Sequence, residues 1–244
     1  MHRFYCPTKN IFNDKIIIND LKMVHYIKDV LRLKEKDKLS VFDDSGSEYR
    51  GDIKEISPEA IVIAIKEKFP SKKETIVITL ACALPKKSKF DDIVDKLTQL
   101  GVSKIIPLRT KRVITKLDRH KACLRQLRWQ KIAQNASQQC QRSHLPIIEP
   151  IKELGEVLSE AEDFDLKLIP TLIGERQELK EIIVATKAKN ILVFIGPEGD
   201  FTPQEVALAK QAGCIPISLG DLVLRVETAA VAVASFIKFY ANHG

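Results

Sequence analysis

Apolar residues follow two regimes along this chain, and the change falls near residue 70. Before it, short segments at Ile16–Ile18, Leu39–Phe42, Glu48–Ile56 and Ala60–Ile65 read as strands. Asp43-Asp44-Ser45-Gly46 and Ser57-Pro58-Glu59 supply turns between them. Asp20 is placed to cap a helix that carries Val24, Ile27 and Leu31 on one side. Short strands with tight turns predict a small β-barrel. Phe69-Pro70-Ser71-Lys72-Lys73 then marks a boundary, with proline, a turn former and charge between two apolar runs.

Beyond the boundary, strands are predicted at Ile76–Leu84, Ile105–Leu108, Leu166–Ile169 and Ile191–Ile195. The last, five apolar residues without a break, suits a strand buried on both faces. Helical patterns separate the strands. Ser88 is a candidate cap for a helix with Phe90, Ile93, Val94, Leu97 and Leu100 at spacings of three and four, closed by Gly101. Asp118 to Gln139 reads as a long basic helix and Glu178–Ala185 as a short one. Strand and helix in alternation predict right-handed parallel βαβ units. After Ile195 the chain breaks at Gly196-Pro197-Glu198-Gly199. A helix follows with Thr202 as cap, Pro203 at its first position and Glu205 completing a capping box, and it stops at Gly213. Strand Ile215–Leu219 runs into Gly220, and the loop Asp221–Thr228 leads to a final helix, Ala229–Tyr240. That helix holds one charge, Lys238, and four alanines, which predicts burial on every side. Pro170-Thr171 marks a third strand end. Open α/β sheets bind ligands at such carboxyl ends.

Composition adds a partner. The 244 residues, 45% hydrophobic and 29% charged, are those of a soluble globular protein of one or two domains. The net charge of +7 is unevenly spread: residues 71–145 hold 17 Lys/Arg against 5 Asp/Glu, and the flanking segments are near neutral or acidic. This concentration points to a polyanion, with Lys86, Lys87, Arg109, Lys111, Arg112, Arg128 and Arg142 as the strip and Arg3 and Arg32 as contributions from the barrel. The five cysteines are odd in number and dispersed, which argues against a disulfide framework or zinc site and for a reducing cytoplasm. The N-terminus lacks the apolar core of a signal peptide, and no apolar run reaches the roughly 18 residues of a membrane span. The histidines form no metal motif, and nucleophile-elbow, phosphate-loop and dinucleotide fingerprints are missing from the sequence.

Gly196-Pro197-Glu198-Gly199, Leu219-Gly220 and Leu224-Arg225-Val226-Glu227-Thr228-Ala229, in that order and spacing, resemble the signature of the SPOUT-class ribosomal-RNA methyltransferases that methylate N3 of a uridine in small-subunit RNA. Leu100-Gly101-Val102, Arg128-Trp129-Gln130-Lys131-Ile132 and, in the barrel, His25 with Val30-Leu31-Arg32 extend the likeness over nearly the whole chain. The resemblance implies a PUA-like RNA-binding barrel over residues 1–70 and a trefoil-knotted α/β domain over 71–244 that dimerises. It implies S-adenosylmethionine as cofactor and ribosomal RNA of the small subunit as partner. Thr171, Gly196, Pro197, Gly199, Ser218, Leu219, Gly220, Leu224 and Thr228 are the cofactor positions it points to. Three residues depart from the pattern: Gln99 and Gln138 replace a usual Glu, and Asp200 a usual second glycine. Aspartate tolerates positive φ better than most residues, so the loop can keep its shape.

A sulfonium cofactor is already an electrophile, so the protein must align it and exclude water. Uridine N3 carries a proton and is a poor nucleophile. Arg225, always charged and with five donors, suits stabilisation of the charge that spreads onto the base carbonyls. Glu198 suits proton acceptance or orientation of a cofactor group. The competing reading is an Arg225–Glu227 or Arg225–Glu198 pair that only holds the loop. Trp129 reads as a core anchor or a base-stacking residue, and His25 as a structural or RNA-contacting one. Two other functions fit the same chain: a ribose 2′-O-methyltransferase of the same superfamily, and a non-catalytic RNA-binding protein of ribosome assembly.

Overall fold

A computed structural model of the chain describes residues 1–71, 74–85, 89–112 and 118–240. It divides into two units, Met1–Lys73 with Ser137–Leu145, and Glu74–Ala136 with Pro146–Gly244.

The first unit is a curled sheet of β1 (His2–Tyr5), β2 (Lys15–Ile18), β3 (Lys38–Phe42), β4 (Glu48–Ile56) and β5 (Ile61–Phe69), ordered β1-β3-β4-β5-β2. The β1–β3 pair is parallel and the remaining pairs are antiparallel. The sequence pattern does not announce β1, because His2–Tyr5 is short and buries only Phe4. Register shifts at Arg50/Gly51 and Ile53/Glu55 bend the long β4–β5 ribbon. Asp20 caps α1 (Leu21–His25), accepting from the backbone N–H of Lys22 at 3.0 Å and of Met23 at 3.4 Å. The helix then widens into a π-helical turn, Tyr26–Val30, and ends with Arg32 exposed at φ 54°.

Arg3 has a different part from the RNA contact expected of it. Its guanidinium donates to the carbonyls of Ser137 (3.3 Å) and Arg142 (3.0 Å) and to Ser143 Oγ (2.8 Å), pairs with Glu48 at 3.6 Å, and lies 4.0 Å over the Phe42 ring. Only 9% of the side chain is exposed, and burial draws its pKa down against the opposing pull of Glu48. These bonds hold the segment Ser137–Leu145 on the curled sheet, a long-range association that no local pattern records.

The second unit is built on an all-parallel sheet. Its strands are β6 (Val77–Ala83), β7 (Lys104–Arg109), β8 (Ile147–Ile148), β9 (Lys152–Glu153), β10 (Leu166–Pro170), β11 (Gln177–Glu178), β12 (Asn190–Ile195) and β13 (Ile215–Ser218). Their order is β11-β13-β10-β12-β6-β7-β8, with β9 also pairing β7. The helices are α2 (Lys89–Gln99), α3 (Arg119–Gln139), α4 (Leu154–Ser159), α5 (Leu179–Ala185), α6 (Pro203–Gln211) and α7 (Val226–Tyr240). Along β12, Ile191, Val193 and Ile195 enter one core while Leu192 and Phe194 enter the other. Side chains alternate across a strand, so an unbroken apolar run is what a sheet covered on both faces requires.

Trp129 is a core anchor. It is 2% exposed, its indole N–H donates to Asp91 Oδ1 at 3.0 Å, and its ring tilts against Phe90 with centroids 4.6 Å apart. On α7, Val226, Ala229, Ala230, Val233, Ala234 and Ile237 are buried. Thr228, Ala232 and Phe239 remain exposed on one side, so burial all round is not reached within one chain. Among the described residues, no helix is long and apolar enough to cross a membrane.

Candidate active site

Because β10, β12 and β13 are parallel neighbours, the loops after them leave the sheet at the same edge. They border one cleft, open to solvent, at that edge. Of the residues expected to bind cofactor, Thr171, Gly196, Pro197, Leu219, Gly220 and Leu224 line it, together with Glu198. Gly199, Ser218 and Thr228 adjoin the lining residues in the chain without lining the cleft, and so does Arg225. Leu172, Arg176, Asp200, Leu222 and Val223 also line it, although the sequence motifs do not select them as site residues. Leu222 and Val223 are 78% and 72% exposed, an apolar wall suited to a flat ring.

Two glycines meet separate demands. A side chain at Gly196 would place its Cβ 3.0 Å from two ring carbons of Phe201, which is fully buried below the loop. Gly220 has φ 102°, where a side chain is strained whatever the space around it. The Ser218 hydroxyl turns into its own loop, accepting from Gly220 N–H at 3.1 Å and facing Gly220 O at 3.4 Å. The Thr171 hydroxyl is also engaged within the protein. It donates to Asp200 Oδ2 at 2.9 Å and accepts from Ile173 N–H at 3.2 Å.

The glycine loop is continuous with the helix that follows. Thr202 and Glu205 form the expected capping box on α6. Glu205, only 6% exposed, also accepts the backbone N–H of Lys111 at 2.9 Å, fixing the turn after β7. From that turn the Arg112 guanidinium donates to the carbonyl of Gly199, and it lies 3.4 Å from that of Asp200. The basic strip therefore reaches the cofactor loop at Arg112. Arg109 pairs with Glu153 at 3.1 Å, and Arg128 pairs with Asp91 while its side chain stays 66% exposed. Arg142 is half-buried in the first unit. Lys86 and Lys87, also expected to contact RNA, lie outside the described residues, as does Ser88, the candidate cap.

Arg225 is exposed just before α7, and among the described residues its guanidinium has no hydrogen bond or ion pair. Glu227 is claimed by Lys89 at 2.7 Å. That hydrogen bond, first among several causes, holds the Glu227 carboxyl below its ordinary value. Burial pushes the thiols of Cys6 and Cys214 up to about 12 and about 11, so neither is a thiolate near neutral pH.

The second unit is thus an α/β domain with a glycine-loop cleft at the carboxyl edge of a parallel sheet and a cationic residue on its rim. The family described as RNA methyltransferase domain matches residues 72–238, and the RNA methyltransferase PUA domain matches residues 18–66. The chain belongs to this RNA methyltransferase family, and the resemblance to SPOUT-class ribosomal-RNA methyltransferases is borne out. It is 30% identical to the Ribosomal RNA small subunit methyltransferase E of Rickettsia conorii over 99% of this chain and 97% of that one. Its namesake in Bacillus subtilis is 29% identical over 88% of this chain and 87% of its own. The crystal structure of a Ribosomal RNA small subunit methyltransferase E from Neisseria gonorrhoeae bound to S-adenosyl methionine superposes with a TM-score of 0.86. That match has 28% identity and covers 98% of this chain and 97% of that one.

Proposed function

We propose that this chain is an S-adenosylmethionine-dependent methyltransferase acting on N3 of a uridine in small-subunit ribosomal RNA. The observation that carries the reading is the convergence, in a member of this family, of three sequence-distant loops on one cleft, with Arg112 bonded to the backbone of one of those loops. The cleft suits the cofactor: apolar walls from Leu219, Leu222, Val223 and Leu224, exposed loop backbone, and two carboxylates, Glu198 and Asp200. Bound there, the cofactor supplies an electrophilic methyl group. The rest falls to the chain. The loops after β10, β12 and β13 hold the ligand and exclude water, Glu198 accepts the N3 proton, and Arg225 stabilises the charge on the uridine carbonyl oxygens. Titration calorimetry should give one S-adenosylmethionine per chain; absence of binding would remove the enzyme reading and leave the RNA-binding one.

RNA is held by the strip through Arg109, Arg112 and Arg128, with Arg32 on the barrel. Charge reversal at Arg109 and Arg112 together should weaken RNA binding and flatten the salt slope by about 0.7–0.9 for each phosphate no longer neutralised. An unchanged affinity and slope would make these residues a solvated face. The same reading includes the knotted threading that the resemblance implies, a cytoplasmic location beside the ribosomal subunits, and a homodimer. The exposed Thr228, Ala232 and Phe239 side of α7 supports the dimer, since an apolar helix face is normally covered. Sedimentation as a monomer at micromolar concentration would argue against it.

A further inference from the structure

We propose that Asp200 is a positioning residue that staples two edges of the cleft together before any ligand arrives. It stands where the resembled pattern has glycine, and its backbone keeps the left-handed conformation, φ 63°. Its side chain makes connections that glycine cannot. Oδ2 accepts from the Thr171 hydroxyl at 2.9 Å and from the backbone N–H of Leu172 at 2.7 Å; Oδ1 accepts from the backbone N–H of Phe201 at 2.8 Å. One carboxylate therefore ties the end of β10 to the loop after β12, across 28 and 29 residues of sequence. Arg176 strengthens the same corner, with its guanidinium 3.3 Å from the Thr171 carbonyl. Thr171, Leu172, Arg176 and Asp200 all line the cleft, so the staple sits in its wall.

A loop fixed in advance does not have to be ordered when the ligand binds, and that saving appears as affinity. Hydrogen bonds to an ionised acceptor are also stronger than neutral ones. The role for the cofactor rests on the methyltransferase reading; the staple itself does not. Asp200→Gly keeps the positive φ at no steric cost and removes all three accepted bonds, so it isolates the carboxylate from the turn. Asp200→Asn also tolerates this conformation but offers one acceptor oxygen where there were two, and should fall between glycine and the natural residue.

The test uses the full-length chain. By calorimetry with S-adenosylmethionine, Asp200→Gly should raise the dissociation constant about 10-fold. In turnover assays it should raise KM for the cofactor and leave kcat at saturating cofactor close to wild type. A purely structural defect would lower the active fraction, hence kcat, and leave KM alone. Thr171→Val should weaken binding in the natural chain and add little in the Asp200→Gly background, since the two groups act as one. Hydrogen exchange without cofactor gives an independent reading: the Leu172 amide should exchange faster in Asp200→Gly. Faster exchange in a protein that binds no S-adenosylmethionine would support the staple and reject the methyltransferase reading alone. Wild-type Leu172 exchange together with wild-type cofactor affinity in Asp200→Gly would overturn the proposal.

Discussion

Replacing Arg225 by lysine is expected to leave cofactor affinity near wild type and to lower the methylation rate by roughly 10²-fold or more, the scale of losing one oxyanion donor. Lysine keeps the charge and loses the planar fork of donors, so the substitution separates geometry from net electrostatics. A purely structural role would pair Arg225 with Glu227 or Glu198, and no hydrogen bond or ion pair joins it to either among the described residues. Glu227 is bonded to Lys89 instead, and Arg225 is the smallest of the influences lowering its pKa. Among the described residues the guanidinium makes no hydrogen bond or ion pair, and lysine keeps the charge that acts on Glu227, so the substitution should cost little stability. Loss of rate with retained cofactor binding would place Arg225 at the charge that develops on the base. A variant that folds, binds cofactor and methylates at the natural rate would remove it from the mechanism.

Phe201→Ala should produce the largest loss of stability. The ring is fully buried in the core that contains Leu192, Phe194 and Val206, and it forms the floor on which the backbone of Gly196 rests. Truncating a buried phenylalanine leaves a cavity and costs about 3–5 kcal/mol. Against a usual domain stability of about 5–15 kcal/mol, this is a large fraction. The denaturant midpoint should fall accordingly, with little change in the slope. Cofactor affinity should fall as well, because the loop above loses its support. A loss below about 1 kcal/mol, well short of the usual cavity cost, would mean that the ring is not a packed floor.

The fold was legible where local physics decides. The capping box at Thr202 and Glu205 and the buried run ending at Ile195 lie where the pattern puts them. Strand Ile215–Ser218 ends one residue earlier than expected, and α7 starts three residues earlier, at Val226. The site was legible as three marked strand ends. It was less legible as chemistry, because the decisive bonds join residues far apart in sequence. Asp200 reads in isolation as a residue that tolerates positive φ; its bonds to Thr171 and Leu172 require the parallel sheet to bring β10 and β12 together. Glu205 reads as a cap, and its second task of holding Lys111 comes from the packing of the turn after β7. Arg3 reads as one more surface cation, yet it is buried against Ser137–Leu145. Composition locates charge along the chain but cannot tell a free cation from one already satisfied.

Methyl transfer to N3 of uridine is tested most directly by mass analysis of nucleosides. Small-subunit ribosomal RNA without the modification would be incubated with the full-length protein and S-adenosylmethionine, digested to nucleosides and analysed. The expected product is N3-methyluridine at a single position in the RNA. A ribose 2′-O-methylated nucleoside, or no methylated nucleoside from protein that binds both RNA and cofactor, would contradict base methylation by this chain.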